Sequence, residues 1–194
     1  MQADFGVELT RDDETLDFPW VDPGDRFRYF DLKRHPELLA HLPEVQQFPE
    51  LKDFLAAMNS PQSLFESAKC DAWASNEMNV EDEVFCAAWK FGSYVDLLLS
   101  QAKERYSFEA HESLAGRATA LLKRVPEIPA SAEFMVRRCY FADETQDGEQ
   151  RPGFYITSYV FGYGADERQA RMQWAVGLNL LKNALLQAVG EIHR

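Results

Sequence analysis

Two adjacent arginines, Arg137 and Arg138, are the residues of this chain whose type and spacing come nearest to a binding chemistry. They lie in Glu133–Phe141, whose alternating pattern predicts a β-strand, so their side chains point to opposite faces of a sheet. Whichever face meets the core, one guanidinium points toward it. That arginine needs an anion, because a buried charge without a partner is strongly unfavourable.

Two sources of that anion are compatible with the sequence. One is a protein carboxylate such as Asp71 or Asp96, each within a neighbouring predicted strand. The other is an anionic ligand, held with help from Tyr155 or Tyr159 on the strand that follows. In that second interpretation His111 would serve as a base. His111 also lies on the apolar side of a predicted helix, where a partly buried structural histidine is the alternative.

The glycines of Gly162-Tyr-Gly164 follow a predicted strand and open a helix, as a dinucleotide-binding turn does. Glu167 stands where the third glycine belongs, and the acids at the helix start would repel a pyrophosphate. A structural role at the start of the helix explains this segment better. We expect Asp166 to cap the helix and Gln169 to complete a capping box.

The remaining motifs predict no chemistry. Asp143–Gly148 resembles the start of a calcium-binding EF-hand loop, but Phe154 stands where the bidentate glutamate belongs, so a hairpin turn is expected. The histidines and cysteines show no metal-ligand spacing. No nucleophile motif is present. We therefore predict no metal, no cofactor and no catalytic residue, and leave open whether the chain is an enzyme.

The elements that would position these residues form an α+β domain. We predict an antiparallel sheet of about four strands, short helices in the N-terminal part of the chain, and a long C-terminal helix packed across one face of the sheet. The helices are expected at Pro36–Leu42, Pro49–Met58, Phe108–Val125 and Asp166–Ile192, and the strands at Ser67–Ser75, Val84–Leu99, Glu133–Phe141 and Phe154–Tyr163. For Val84–Leu99 a helix also fits, and a bulged or broken strand is favoured.

Residues 1–33 are expected to form an irregular, aromatic-rich arm that packs onto a single domain comprising residues 34–194. An internal duplication of a strand–strand–helix unit is also suggested by spacing. The two cysteines Cys70 and Cys139 lie 69 residues apart, and the Phe-Gly pairs at Phe91 and Phe161 lie 70 apart.

The net charge of −12 limits the classes of partner. Residues 1–110 hold 22 acids and 10 bases, whereas residues 111–194 hold 10 of each, so the excess lies entirely in the first part. A negative surface repels nucleic acid and anionic membranes. Three cysteines without a CxxC pair, and no signal-peptide pattern, indicate a reducing, cytoplasmic setting.

Two functions remain. The favoured one is a non-enzymatic soluble interaction or regulatory domain that uses its acidic N-terminal part or an aromatic sheet face lined by Tyr155, Thr157, Tyr159 and Phe161. Its partner would be a basic protein or a second copy of the chain. The alternative is a binding domain or enzyme for a small anionic ligand, anchored by Arg137 or Arg138.

Overall fold

The computed structural model describes residues 1–22, 24, 28–79, 82, 85–142 and 150–190. Within them the chain forms one mixed sheet of six strands. The strands are β1 Gln2–Glu8, β2 Thr15–Phe18, β3 Phe65–Ser75, β4 Trp89–Leu99, β5 Ala130–Ala142 and β6 Gln150–Gly164. The spatial order is β1-β5-β6-β4-β3, and β2 pairs with β5 beyond the end of β1. The pairs of β1 and β2 with β5 are parallel, and all others are antiparallel.

The helices occupy the stretches between these strands. A 3-10 helix at Pro36–His41 precedes α1 Pro43–Gln47 and α2 Glu50–Met58; α3 Ala102–Arg105, α4 Phe108–Leu122 and α5 Glu167–Gly190 follow. Helices α4 and α5 pack on one face of the sheet, and α2 packs against α5. No helix of the described residues is both long enough and apolar enough to cross a bilayer.

The α+β class and the C-terminal helix are confirmed. The count of about four strands is wrong, and the sheet is mixed rather than wholly antiparallel. The four predicted strands are all present as β3, β4, β5 and β6. The two additional strands come from the N-terminal segment, which is therefore not irregular throughout. Both are short, and both gain their backbone partners from β5, far away in sequence, so local periodicity gave no sign of them. The division at residue 33 remains a prediction.

The ambiguous stretch 84–99 contains a strand from Trp89 onward. Phe91, Val95 and Leu97 face the helices together with Ser93 and are almost fully buried, while Tyr94 and Asp96 face the other side of the sheet. Nearly every residue of β4 is buried because β4 is a central strand with both faces largely covered. The irregularity expected in this strand lies instead in β3, where the register shifts between Ser67 and Lys69.

Gly162 sets how closely α5 approaches the sheet. A Cβ atom at Gly162 would lie 2.0 Å from the backbone nitrogen of Trp174 and 2.4 Å from the carbonyl oxygen of Ala170. The helix backbone therefore rests directly on β6. Trp174 is completely buried there, and its indole N–H donates to the Ser93 hydroxyl at 2.9 Å.

The capping prediction for α5 is confirmed by its hydrogen bonds. The Asp166 carboxylate accepts from the backbone N–H of Gln169 at 2.7 Å. The Gln169 side chain accepts from the backbone N–H of Ala165 at 2.9 Å, one residue before the position that a standard capping box uses.

The suggested duplication is not confirmed. The order strand, strand, helix occurs twice, but the residues that prompted the idea have different surroundings. Phe91 faces the helices and is buried, whereas Phe161 is half-buried on the opposite face. A shared origin would place matched residues on matched faces, and this pair does not meet that condition.

Candidate functional site

Four half-buried aromatic side chains lie together on the sheet face opposite α4 and α5. They are Trp73 of β3, Tyr94 of β4, and Tyr159 and Phe161 of β6, and we call them the aromatic face. The strand register places them side by side. Tyr94 pairs with Tyr159, with ring centroids 6.1 Å apart, and Tyr159 stacks on Phe161 at 6.2 Å. The rings thus form a continuous apolar surface.

Gly92 allows the rings of the outer strands to meet. It pairs with Trp73 on one side and with Phe161 on the other, and it has no side chain between them. The Trp73 and Phe161 rings close over it edge to face, with centroids 6.2 Å apart. A Cβ atom at Gly92 would lie 2.8 Å from the Phe161 ring, so any other residue would push the two rings apart.

Carboxylates border the aromatic face on both sides. Asp71, exposed on β3, pairs with Tyr94, and Glu133, exposed on β5, pairs with Tyr159. One row across the sheet therefore reads acid, tyrosine, tyrosine, acid. Asp4 of β1 pairs with Glu133 and extends this row by another exposed acid.

Arg137 is the arginine that lies on the side of the aromatic face, and its charge is met by the N-terminal segment. Its Nε donates to Glu8 at 2.7 Å, and its Nη1 lies 2.9 Å from a carboxylate oxygen of Glu14. The same Nη1 lies within hydrogen-bonding distance of the Thr157 hydroxyl at 3.1 Å and the Tyr159 hydroxyl at 3.2 Å. Burial alone would lower the pKa of Arg137, but the hydrogen bonds to Glu8 and Tyr159 raise it.

The expectation of a protein carboxylate beside the inward arginine fits this arrangement, although the carboxylates are Glu8 and Glu14 rather than Asp71 or Asp96. Glu8 lies 129 residues and Glu14 lies 123 residues before Arg137 in the sequence. Their distance in the chain and the unrecognised strand β1 explain why sequence reasoning missed them. In the sequence, Glu14 is distinguished only as the last residue of the acidic run Asp12-Asp13-Glu14.

Asp96 lies next to Arg137 but contacts it through Thr157. The Thr157 hydroxyl donates to Asp96 Oδ1 at 2.7 Å, and Asp96 is almost completely buried. Burial raises the pKa of Asp96 from 3.8 to about 6, although the Thr157 hydrogen bond and the charges of Lys69 and Arg137 act in the opposite direction. The aromatic face therefore has a buried titratable group in its floor.

The other two cations near this face are also engaged. Lys90 donates to Asp82 at 2.6 Å in an ion pair that is almost fully buried, and the Tyr163 hydroxyl donates to the same carboxylate at 2.7 Å. The ammonium group of Lys69 lies 5.0 Å from the centre of the Trp20 ring. These positive charges are thus bound to the protein's own groups. The bordering carboxylates Asp71 and Asp4 are exposed, and Asp4 lies 4.0 Å from the ammonium group of Lys123.

Of the five predicted site residues, the structure brings three together. Tyr155 and Tyr159 share the face of Arg137, with Tyr155 buried in a small cluster under the N-terminal segment. Arg138 points to the helix side and donates to the carbonyl oxygen of Leu9 at 2.7 Å.

His111 also lies on the helix side of the sheet, packed against the Phe154 ring with centroids 5.9 Å apart. It is fully buried, and burial lowers its pKa. Its Nδ1 lies 2.8 Å from the carbonyl oxygen of Ser107. The sheet separates it from Arg137, so the two cannot act on one small molecule.

A groove of about 1150 Å³ lies beside β3, next to the aromatic face. Its walls are the N-terminal segment, the turn around Pro43 and the residues Ser67–Asp71 of β3. Two exposed apolar side chains, Val21 and Phe30, line it. Asp71 and Tyr94 also line it, and no sequence signal joined these two residues to the groove.

Within the described residues, no group of three or more His, Cys, Asp or Glu side chains is placed to hold a metal ion. The calcium-loop resemblance at Asp143–Gly148 lies outside the described residues. Comparisons with family models, with curated proteins and with solved structures each find no match to this chain.

Proposed function

We propose that this protein is a non-enzymatic interaction domain that binds a basic segment of another protein on its aromatic face. The observation that carries the proposal is the row Asp71, Tyr94, Tyr159, Glu133, in which aromatic rings lie between exposed carboxylates. Aromatic faces attract ammonium and guanidinium groups by about 0.5–2 kcal/mol each, and neighbouring carboxylates add direct ion pairs.

The balance of charge supports a basic partner. The chain carries a net charge of −12, with all of the excess in residues 1–110, which include Asp71, Tyr94 and Trp73. Such a field speeds the encounter with a cationic segment and repels anionic ones. The acidity and the aromatic face therefore favour the same class of partner.

A small anionic ligand at Arg137 is less well supported. The guanidinium already contacts two carboxylates and two hydroxyl oxygens, so an anion would have to displace Glu8 or Glu14. Any gain from a new ion pair would be offset by the loss of an existing one. Ligand binding at this arginine remains a prediction that the geometry does not favour.

The proposal is tested by isothermal titration calorimetry, in which a short peptide of alternating arginine and threonine is added to the protein. We expect binding that weakens steeply as salt is added, because exposed charges are screened. Asp71→Asn and Trp73→Ala should each weaken binding about three- to tenfold, which corresponds to the loss of one ion pair or one cation–π contact.

Glu112→Gln serves as the matched control, since Glu112 is exposed on α4, at the opposite face of the sheet. It should leave the affinity unchanged. If Glu112→Gln weakens binding as much as Asp71→Asn does, the peptide responds to net charge alone and the aromatic face is not the site. Absence of binding at low salt would also contradict the proposal.

A further inference from the structure

The row of the sheet next to the aromatic rings contains a buried acid, Asp96. It follows Tyr94 by two residues in β4, so both side chains lie on the same face, about 7 Å apart along the strand. Its own row pairs it with Lys69 of β3 and Thr157 of β6. Asp96 is only 6% exposed. A positive charge bound over Tyr94 and Tyr159 would therefore lie within one row of this carboxyl group.

The two cations nearest to Asp96 are engaged with other groups. Lys69 stands opposite Asp96 in register, but its ammonium group lies 5.0 Å from the centre of the Trp20 ring. Arg137 is linked to Asp96 through the Thr157 hydroxyl, which lies 3.1 Å from Nη1 and 2.7 Å from Oδ1. Both charges favour the ionised carboxylate, and burial still outweighs them, because the pKa of Asp96 is raised to about 6.

The phenol and thiol groups around Asp96 do not compete with it for protons near neutral pH. These groups lie on β3, β4, β5 and β6, and they are Cys70, Tyr94, Cys139, Tyr155 and Tyr159. Burial raises the pKa of each of them, so each stays protonated from acid to neutral pH. A proton released here near pH 6 therefore comes from neither a phenol nor a thiol.

The charged groups around Asp96 leave an excess of negative charge once it ionises. They are the cations Lys69 and Arg137 and the carboxylates Glu8, Glu14 and Asp71. Three carboxylates thus surround two cations, and ionised Asp96 adds a further negative charge. A cation that arrives from outside is attracted more strongly to this cluster when Asp96 is ionised than when it is protonated.

A partner that covers the aromatic face acts on Asp96 in two opposite ways. Removing water favours the protonated form, whereas a nearby positive charge favours the ionised form. Because Asp96 is already almost completely buried, further covering changes its hydration little, and the new charge is the larger effect. At about 8 Å and an effective dielectric constant between about 20 and 80, one charge changes the ionisation constant about three- to tenfold.

We infer that a basic segment bound on the aromatic face stabilises the ionised form of Asp96, so that binding releases a proton and strengthens as pH rises from acid to neutral values. The inference rests on the proposed function and adds its regulation by pH. Coupling between two sites is reciprocal, so the factor by which the segment shifts the ionisation of Asp96 also appears in the affinity for the segment.

The number of protons released is measured by isothermal titration calorimetry in buffers of different ionisation enthalpy at the same pH. The probe is the arginine–threonine peptide with both ends blocked, so that it does not titrate between pH 5 and 7.5. Ordinary carboxyl groups remain largely ionised over this range. We expect the release of about 0.3–0.5 proton per peptide near pH 6, falling towards zero at pH 7.5, and an affinity about two- to fivefold higher at pH 7.5 than at pH 5.

The variant Asp96→Asn identifies the group that releases the proton. Asparagine keeps an oxygen for the Thr157 hydroxyl and cannot ionise, so the variant should release no proton and bind the peptide about three- to tenfold more weakly than the unaltered protein at pH 7.5. His41→Gln is the control, because His41 lines the neighbouring groove and imidazole titrates in the same range. It should keep the full proton release.

The outcomes separate this inference from the proposed function. Proton uptake on binding would show that loss of water dominates and would overturn the inference, as would full release from Asp96→Asn or loss of release in His41→Gln. If the peptide binds through Asp71 and Trp73 with no proton exchange and no pH dependence, only the coupling to Asp96 fails. If the peptide does not bind at low salt at any of these pH values, the proposed function fails and the coupling fails with it.

Discussion

At the scale of single residues, two buried carboxylates of this protein differ in their partners: Asp82 forms an ion pair with Lys90, and Asp96 accepts a hydrogen bond from a neutral hydroxyl. Arg137 is paired with Glu8 of a distant segment and Lys90 with Asp82, whereas within the described residues the Asp96 carboxylate accepts a hydrogen bond from the Thr157 hydroxyl. Taking an ionised carboxylate out of water favours its neutral form. Asp96 therefore makes the stability of the fold depend on pH.

The predicted pH dependence follows from the raised pKa. The folded protein holds the Asp96 proton up to about pH 6, whereas the unfolded chain releases it near 3.8. Stability from this residue is thus complete below the unfolded pKa and decreases as pH rises through about 6. Asn does not titrate, so the Asp96→Asn variant should lack this loss of stability. Relative to the unaltered protein, its free energy of unfolding should therefore be higher at neutral pH than at acid pH by about 2–3 kcal/mol.

Urea unfolding at several pH values measures this difference. Asp71→Asn is the control, because it removes an exposed carboxylate from the same face. If Asp96→Asn and the unaltered protein show parallel stability curves between acid and neutral pH, the raised pKa is wrong. If Asp71→Asn changes the pH dependence of stability as much as Asp96→Asn does, the effect arises from net charge instead.

At the scale of elements, the contact between β6 and α5 decides the architecture of the helix face. Gly162 permits the backbones of the two elements to touch, and Gly164, two residues further along β6, does the same. We expect Gly162→Ala to destabilise the protein by more than about 3 kcal/mol, because the added methyl meets backbone atoms that cannot move aside.

Gly190→Ala is the matched control for that substitution. A Cβ atom at Gly190 has no heavy atom within 4 Å, and the residue ends α5. It should change the free energy of unfolding by less than about 1 kcal/mol. Thermal unfolding of both variants gives the comparison, and a small effect of Gly162→Ala would show that α5 can shift on the sheet.

At the scale of the whole molecule, the N-terminal segment belongs to the sheet. Strands β1 and β2 pair with β5, and Glu8 and Glu14 contact Arg137. Leu16 is buried between the strands and forms a second small core with Tyr155 and Phe141. This segment therefore closes one edge of the sheet and covers one end of the face that carries the aromatic residues.

Removal of residues 1–18 should accordingly destabilise the remaining chain rather than release a separate arm. We expect the shortened protein to unfold at markedly lower urea concentration, since it loses two strands and exposes the edge of β5. Leu16→Ala, which removes one buried side chain from the second core, should lower the free energy of unfolding by about 2–5 kcal/mol. An unchanged urea midpoint for the shortened chain would contradict the integration of the segment.

The sequence by itself determined the α+β class, the position of the central strands, the long C-terminal helix and the Asp166 cap, because each depends on periodicity or on contacts between near neighbours in the chain. It also required one arginine of the pair to face the protein. The tertiary structure alone decided what met that arginine, since Glu8 and Glu14 reach Arg137 only through the parallel pairing of β1 with β5.

The aromatic face was likewise decided by strand register. Trp73, Tyr94 and Phe161 come from β3, β4 and β6, which are neighbours in the sheet although β4 and β6 are not consecutive in the chain, and Gly92 brings two of their rings together. Alternation within one strand predicts which residues share a side, but it carries no information on which strand lies next or how the two are aligned. Long-range pairing supplies both, and it is the physical reason that the candidate site emerged only from the fold.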